Sequence, residues 1–223
     1  MTIRRILRLS GADATDFLQG LITNDVNRLE QGMIYAALLT PQGKYLADFF
    51  VVRDAESLLI DVADDLGDML VQRLSMYKLR ADVTIAKTEM CAHRGLGPVP
   101  EDGFADPRDS ALGWRAYRTT PQTDDATDWT ALRVAHLIPE TGIELTPDTF
   151  ILEVGFERLH GVDFRKGCYV GQETLAKLAT YDGVKQQLRH WHSGAAGSCT
   201  PGTTLFTASG ERAGVITSAL AGT

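Results

Sequence analysis

Cysteine is scarce and poorly spaced. Cys91, Cys168 and Cys199 lie far apart, are odd in number and form no Cys-x-x-Cys pair. That pattern argues against a disulfide framework and against a structural zinc site. Cys91 and His93 alternate onto one strand face, but two ligands are too few, so no metal is expected. Long apolar runs are missing too: none approaches the roughly 20 residues of a membrane span. The first eight residues, Met1 to Arg8, carry arginines but no apolar leader core. Cations are the minority charge, with 22 Lys and Arg against 29 Asp and Glu, a net charge of −7. A nucleic acid backbone needs a basic footprint, so it is not expected as a direct partner. An anionic small ligand held by a few local cations remains compatible. These absences predict a cytoplasmic protein in a reducing compartment, with no membrane partner.

What is present is an ordinary globular composition, 44% hydrophobic and 23% charged, enough for a real core. Ile3 to Leu9 alternates as a first strand, and a short helix follows Ser10-Gly11-Ala12-Asp13. Met33 to Thr40 and Tyr45 to Arg53 flank Pro41-Gln42-Gly43-Lys44, a hairpin pattern. Leu58 to Val62 is a third strand. Asp64 can cap a helix whose apolar face is Leu66, Met69, Leu70, Leu74 and Tyr77. Strands are also expected over 81–86, 90–95 and 113–118, with a loop over 96–110 and a helix from Trp129 to His136. This order reads as α+β, not as an alternating parallel sheet. From Gly183 onward the chain changes character. Val184 to His192, Thr203 to Thr207 and Arg212 to Ser218 read as three short strands. Only 39 residues follow Val184, so a C-terminal β-domain over 185–223 is expected to be incomplete beside a body over 1–184.

One octapeptide concentrates chemistry: Lys166-Gly167-Cys168-Tyr169-Val170-Gly171-Gln172-Glu173. It holds a cation, a thiol, a phenol, an amide and a carboxylate, separated by two glycines that permit tight turns or close approach. A cation near Cys168 would favour the thiolate, the nucleophilic and metal-binding form. Helix-forming residues from Gln172 to Ala179 would place Cys168 and Tyr169 in the turn entering a helix. The alternative is a small buried cysteine with no chemistry. His160 is the nearest histidine in sequence, and a surface role suits it better.

KGCYVGQE resembles the signature of the YgfZ family, folate-binding relatives of the glycine-cleavage T-protein, an aminomethyltransferase. The resemblance covers most of the chain and is nearest to the branch linked to iron–sulfur cluster assembly. It implies a T-protein-like folate-binding body with a shortened C-terminal β-barrel-type domain. It also implies tetrahydrofolate as cofactor, and iron–sulfur assembly proteins or client enzymes as partners. Cys168 and Lys166 become candidates for chemistry. Asp48, Arg133, Tyr169, Gln172, Glu173 and Asn24 become candidates for folate. Asp48 lies in an apolar strand, either on its solvent face or buried with a partner. Asn24 belongs to a Thr23-Asn24-Asp25-Val26 element that local capping alone could explain. Arg133, Lys78 and Arg80, with Lys166, are cations for a glutamyl tail. One departure stands out in Arg133-Val134-Ala135-His136-Leu137-Ile138-Pro139. The glutamate many relatives carry is Ala135 here, and the usual glycine is Leu137. The implied function is a tetrahydrofolate-binding accessory in iron–sulfur assembly, leaning away from an enzyme. A folate-dependent aminomethyl or one-carbon transferase and a non-catalytic interaction protein are the alternatives.

Overall fold

The structure is a computed structural model and describes residues 3–123, 126–192 and 200–220. Cys199 and most of the expected break over 194–202 lie outside the described residues. Five strands form the main sheet: β1 (Arg4–Ser10), β2 (Ile34–Leu39), β3 (Tyr45–Asp54), β4 (Ser57–Ala63) and β5 (Thr84–Lys87). Their order is β2-β3-β4-β1-β5 and every pair is antiparallel. Helix α1 (Ala14–Gln19) follows β1, and α2 (Asp64–Lys78) joins β4 to β5.

Strands β2, β3 and β4 are buried on both faces, which explains their near-continuous apolar sequences, whereas the edge strand β5 is largely exposed. Ala47, Phe49 and Val51 of β3 pack with Leu18 of α1 and with Leu70 and Leu74 of α2. Tyr35 of β2 with Phe50 and Val52 of β3 packs on the other side with Ile151, Phe156 and Leu159. Each such fully buried side chain contributes about 1.5–3 kcal/mol by its removal from water. Asp64 does not cap α2; its carboxylate accepts from Arg5 Nε at 2.8 Å. Nor does Tyr77 join the buried face, for it is exposed together with Met76.

A second sheet, β6 (Cys91–Gly95), β7 (Gly103–Ala105) and β8 (Trp114–Arg118), has the order β6-β8-β7. Strand β7 falls inside the expected loop over 96–110. Three residues between Gly and Pro neighbours are too few to show a period, and only pairing with β8 makes them a strand. Helix α3 (Trp129–Ala135) is capped by Asp128, whose carboxylate accepts from Ala131 N at 2.9 Å. A run of turns then leads to α4 (Gln172–Lys177), which continues as one π turn over Leu178–Asp182. Strands β9 (Thr204–Phe206) and β10 (Arg212–Val215) pair with each other. The expected strand over 184–192 does not form. With no strand beside it, that segment lies as a strap: Leu188 N donates to Glu153 O at 2.8 Å and the His190 ring reaches Val134 O.

Candidate functional site

The octapeptide docks on the tip of the β2–β3 hairpin. Gly171 has φ +84°, and a Cβ there would lie 2.6 Å from Thr40 O and 3.1 Å from Gly43 Cα. Gly43 has φ +79°, and its own Cβ would meet Thr174 Cβ at 2.8 Å. Two glycines therefore face each other where no side chain fits. Lys166 holds the other end of the octapeptide. Its buried ammonium donates to the carbonyls of Gln19 (2.7 Å), Ile22 (2.7 Å) and Asn24 (2.9 Å). Burial lowers this lysine to about 8, against Asp25 and Asp163, which raise it.

Between these anchors Cys168 is exposed. An ammonium has three hydrogens, and all three of Lys166 go to carbonyls, so the expected cation for the Cys168 thiolate is used elsewhere. Among the described residues, no group of three or more His, Cys, Asp or Glu could hold a metal ion. Tyr169 turns inward into the apolar layer that contains Leu39, Tyr45 and Leu175. Its hydroxyl is buried without a hydrogen-bond partner, and burial raises it to about 12. Gln172 and Glu173 open α4, Glu173 exposed. His160 is exposed, and its backbone carbonyl, not its ring, is engaged.

Asp48 is buried, not on the solvent face. A register shift opposite Leu38 and Leu39 of β2 puts Tyr45 on the same face as Asp48, which regular alternation would forbid. Asp48 Oδ1 accepts from Tyr45 Oη at 2.7 Å and from Thr141 Oγ1 at 2.9 Å, and Oδ2 accepts from Tyr35 Oη at 2.9 Å. Ala37 sits directly opposite Asp48 across the hairpin and leaves room for this cage. Both buried tyrosines are held above the usual phenol range, first by burial and then by the Asp48 charge.

A second cluster lies on the neighbouring strand. Asp61 of β4 binds Arg4 Nε (2.6 Å), Arg115 Nη1 (3.0 Å) and Tyr117 Oη (3.2 Å). Arg115 continues to Asp106 at 3.2 Å, and Arg108 grips Asp106 through Nε and Nη2. Burial raises the Asp106 carboxyl, but Arg108, then Arg115, outweigh it and hold it at about 2. The Arg115 guanidinium lies 3.9 Å from the Phe50 ring centroid and that of Arg108 lies 4.6 Å away. These ion pairs bind β8 to the main sheet.

The remaining candidates are engaged elsewhere. Asn24 donates both side-chain hydrogens, to Tyr35 O (2.8 Å) and His160 O (2.7 Å), so it ties β2 to the run before the octapeptide. Arg133 pairs with Glu140 (2.6 Å) and Glu144 (3.4 Å) and donates to Ser218 (2.9 Å), fixing the C-terminal segment against α3. It is not a solvated helix-face charge. An open cleft of about 590 Å³ beside Arg133, walled by Ile143, Pro201 and Ile216, includes neither Asp48 nor Cys168.

A pterin pairs its amino and ring N–H donors with a carboxylate that offers an acceptor position on each oxygen. Of Asp48's roughly four acceptor positions, Oδ1 has both filled and Oδ2 has one filled. Ala135, where the family resemblance led to an expected acid, is exposed. As arranged, these residues do not fit the pterin. Sequence reasoning missed Tyr35, Tyr45, Thr141, Arg108, Arg115, Asp61 and Asp106. Asp61 carried the same signal as Asp48, one acid in an apolar strand.

No protein-family model matches the chain. The iron–sulfur cluster assembly factor IBA57 homologue of Mycosarcoma maydis is 29% identical over 207 residues, covering 78% of this chain and 51% of that protein. That of Neurospora crassa is 31% identical over 228 residues, covering 84% and 52%. Human IBA57 is 27% identical, covering 95% of this chain and 71% of its own length. The chain thus spans about half the length of the fungal relatives it matches. In structure, the glycine cleavage aminomethyltransferase T of Bartonella henselae aligns with a TM-score of 0.66 at 16% identity, over 96% of this chain and 71% of that one. This likeness concerns the fold. The comparisons correct the cytoplasmic expectation, because all three IBA57 relatives are named as mitochondrial proteins. That expectation rested on the scarcity of cysteine, which does not tell one reducing compartment from another. No helix among the described residues is long and apolar enough to cross a membrane. The chain is a homologue of the IBA57 iron–sulfur cluster assembly factors, relatives of the YgfZ family that its octapeptide resembles, built on a T-protein-like α+β fold.

Proposed function

We propose that this chain serves iron–sulfur cluster assembly as a non-enzymatic accessory whose working group is the Cys168 thiol. The observation that carries the reading is the contrast within the octapeptide. Its lysine and second glycine are locked into the fold, while Cys168 between them is exposed and belongs to no metal-binding group among the described residues. A single thiolate cannot hold a cluster, which normally takes four protein ligands. The other ligands would come from an assembly protein, a client enzyme or a small thiol. In this reading Lys166 is a structural cap and Cys168 alone meets the cargo. Residues 1–184 form the body that presents it, and 185–223 form a short β unit.

The test is replacement in cells that depend on this protein. Cys168→Ser is expected to abolish the activity of cluster-dependent enzymes while the purified variant melts within a degree or two of the parent. Normal cluster-dependent activity in that variant would remove the thiol from the mechanism and leave a non-catalytic interaction protein.

Tetrahydrofolate binding is the second reading. The T-protein-like fold favours it, and so does the partnerless Tyr169 hydroxyl in the same apolar layer as Tyr45. The saturated Asp48 stands against it. Anaerobic calorimetric titration decides: micromolar binding that Asp48→Ala weakens supports a folate site here, and absence of heat with the parent protein ends the reading.

A further inference from the structure

The end of α2 breaks two habits of this molecule. The first concerns charge. In a chain of net charge −7, the stretch from Met69 to Ala81 contains Arg73, Lys78 and Arg80 and no acid. Most other arginines of the main sheet are paired, as Arg4, Arg5 and Arg8 are. Arg73 and Arg80 are exposed. Lys78 and Arg80, two of the cations expected for a glutamyl tail, lie at the far end of α2 from Asp64 and its Arg5 pair.

The second habit concerns apolar surface. Leu79 is 92% exposed, Met76 62% and Tyr77 39%. Arg73, Met76 and Tyr77 follow one another at helical spacing, so they share one face of α2. Leu79 stands just past the helix end with φ +41°, a conformation that favours glycine and is costly for a leucine. An ordinary C-cap would place glycine or asparagine here. The fold instead holds a large apolar side chain outward in a strained backbone, with no contact to recover the cost. Such strain points to a function at the strained residue.

We propose that this tip is a peripheral docking point for an anionic membrane surface. Leu79, Met76 and Tyr77 would enter the headgroup region, and Arg73, Lys78 and Arg80 would lie against lipid phosphates. Arg73, Lys78 and Arg80 outnumber the exposed Asp13 and Asp82 beside this apolar tip, and that local excess of positive charge matches an anionic lipid surface and needs no complementary pocket. This departs from the expectation of no membrane partner, which rested on the lack of a spanning run. It is independent of the proposed role of Cys168.

The experiment is co-sedimentation of the full chain with two kinds of vesicle: phosphatidylcholine alone, and phosphatidylcholine in which about a third of the lipid is phosphatidylserine. The protein is expected to sediment with the anionic vesicles only, and to be released by salt. Arg80→Glu should lower the partition coefficient at least about fivefold, the effect of one interfacial cation. Leu79→Gly should lower it about tenfold, the contribution of a buried leucine, while raising the melting temperature because the backbone strain is relieved. That opposite movement of binding and stability is the signature of the proposal. Failure of the parent protein to sediment with anionic vesicles overturns it and turns attention to an acidic protein partner. Unchanged binding by Leu79→Gly overturns it equally.

Discussion

Asp48 and Asp61 are buried carboxylates on adjacent strands of one sheet, and they are satisfied in opposite ways. Asp48 takes hydrogens from three neutral hydroxyls, Tyr35, Tyr45 and Thr141. Asp61 takes them from two guanidiniums and one phenol. The hydroxyl cage holds its charge with dipoles and could exchange one partner for another without stranding an ion. The guanidinium cluster has no such freedom, because removing Asp61 takes from Arg4 and Arg115 the carboxylate they share and leaves Arg115 with Asp106 alone. Chemistry that must change its partners suits the first kind of site. Fixing two sheets against each other suits the second.

Breaking the ionic side should cost most. Asp61→Ala is expected to lower stability by about 4 kcal/mol, the range for a broken buried ion pair, read from the denaturant midpoint. Asp48→Ala should cost less, about 2 kcal/mol, since the freed hydroxyls can bond one another or admit water. Equal losses in the two variants would erase the distinction. The acid limb sharpens it. Asp106 falls from 3.8 unfolded to about 2 folded, so its contribution is full above about pH 5 and is lost as pH falls through 4 toward 2. That loss is about 2 kcal/mol and should vanish from the pH–stability curve in Asp106→Asn. The smallest effect belongs to Tyr35→Phe. Asp48 keeps Tyr45 and Thr141, so about 1 kcal/mol is expected.

Much of the sheet was legible because its strands and the β2–β3 turn carry local signals. The hairpin around Gly43, the helix after Asp64 and the cap at Asp128 are set by residues near one another in sequence. The failures share a cause. β7 exists only because β8 lies beside it, and 184–192 is not a strand because nothing does. Leu137, where the family resemblance led to an expected glycine, has a left-handed backbone with φ +51°, a conformation that suits glycine. At the site, the octapeptide's importance was legible but the division of labour within it was not. Proximity in sequence paired Lys166 with Cys168, whereas the fold sends that ammonium to carbonyls near residue 22. Asp48's partners were hidden by the register shift that moves Tyr45 across the strand.

The face-to-face glycines at 43 and 171 have a consequence for timing. They lie in distant parts of the chain, so their contact is a high-contact-order event that a chain short of the native fold lacks. A nascent or partly unfolded chain carries Cys168 on a loose tether, and only the finished molecule displays it on a fixed turn. Display of the thiol is therefore a report of maturity, and a cargo-bearing partner that reads this geometry would be shielded from unfinished copies.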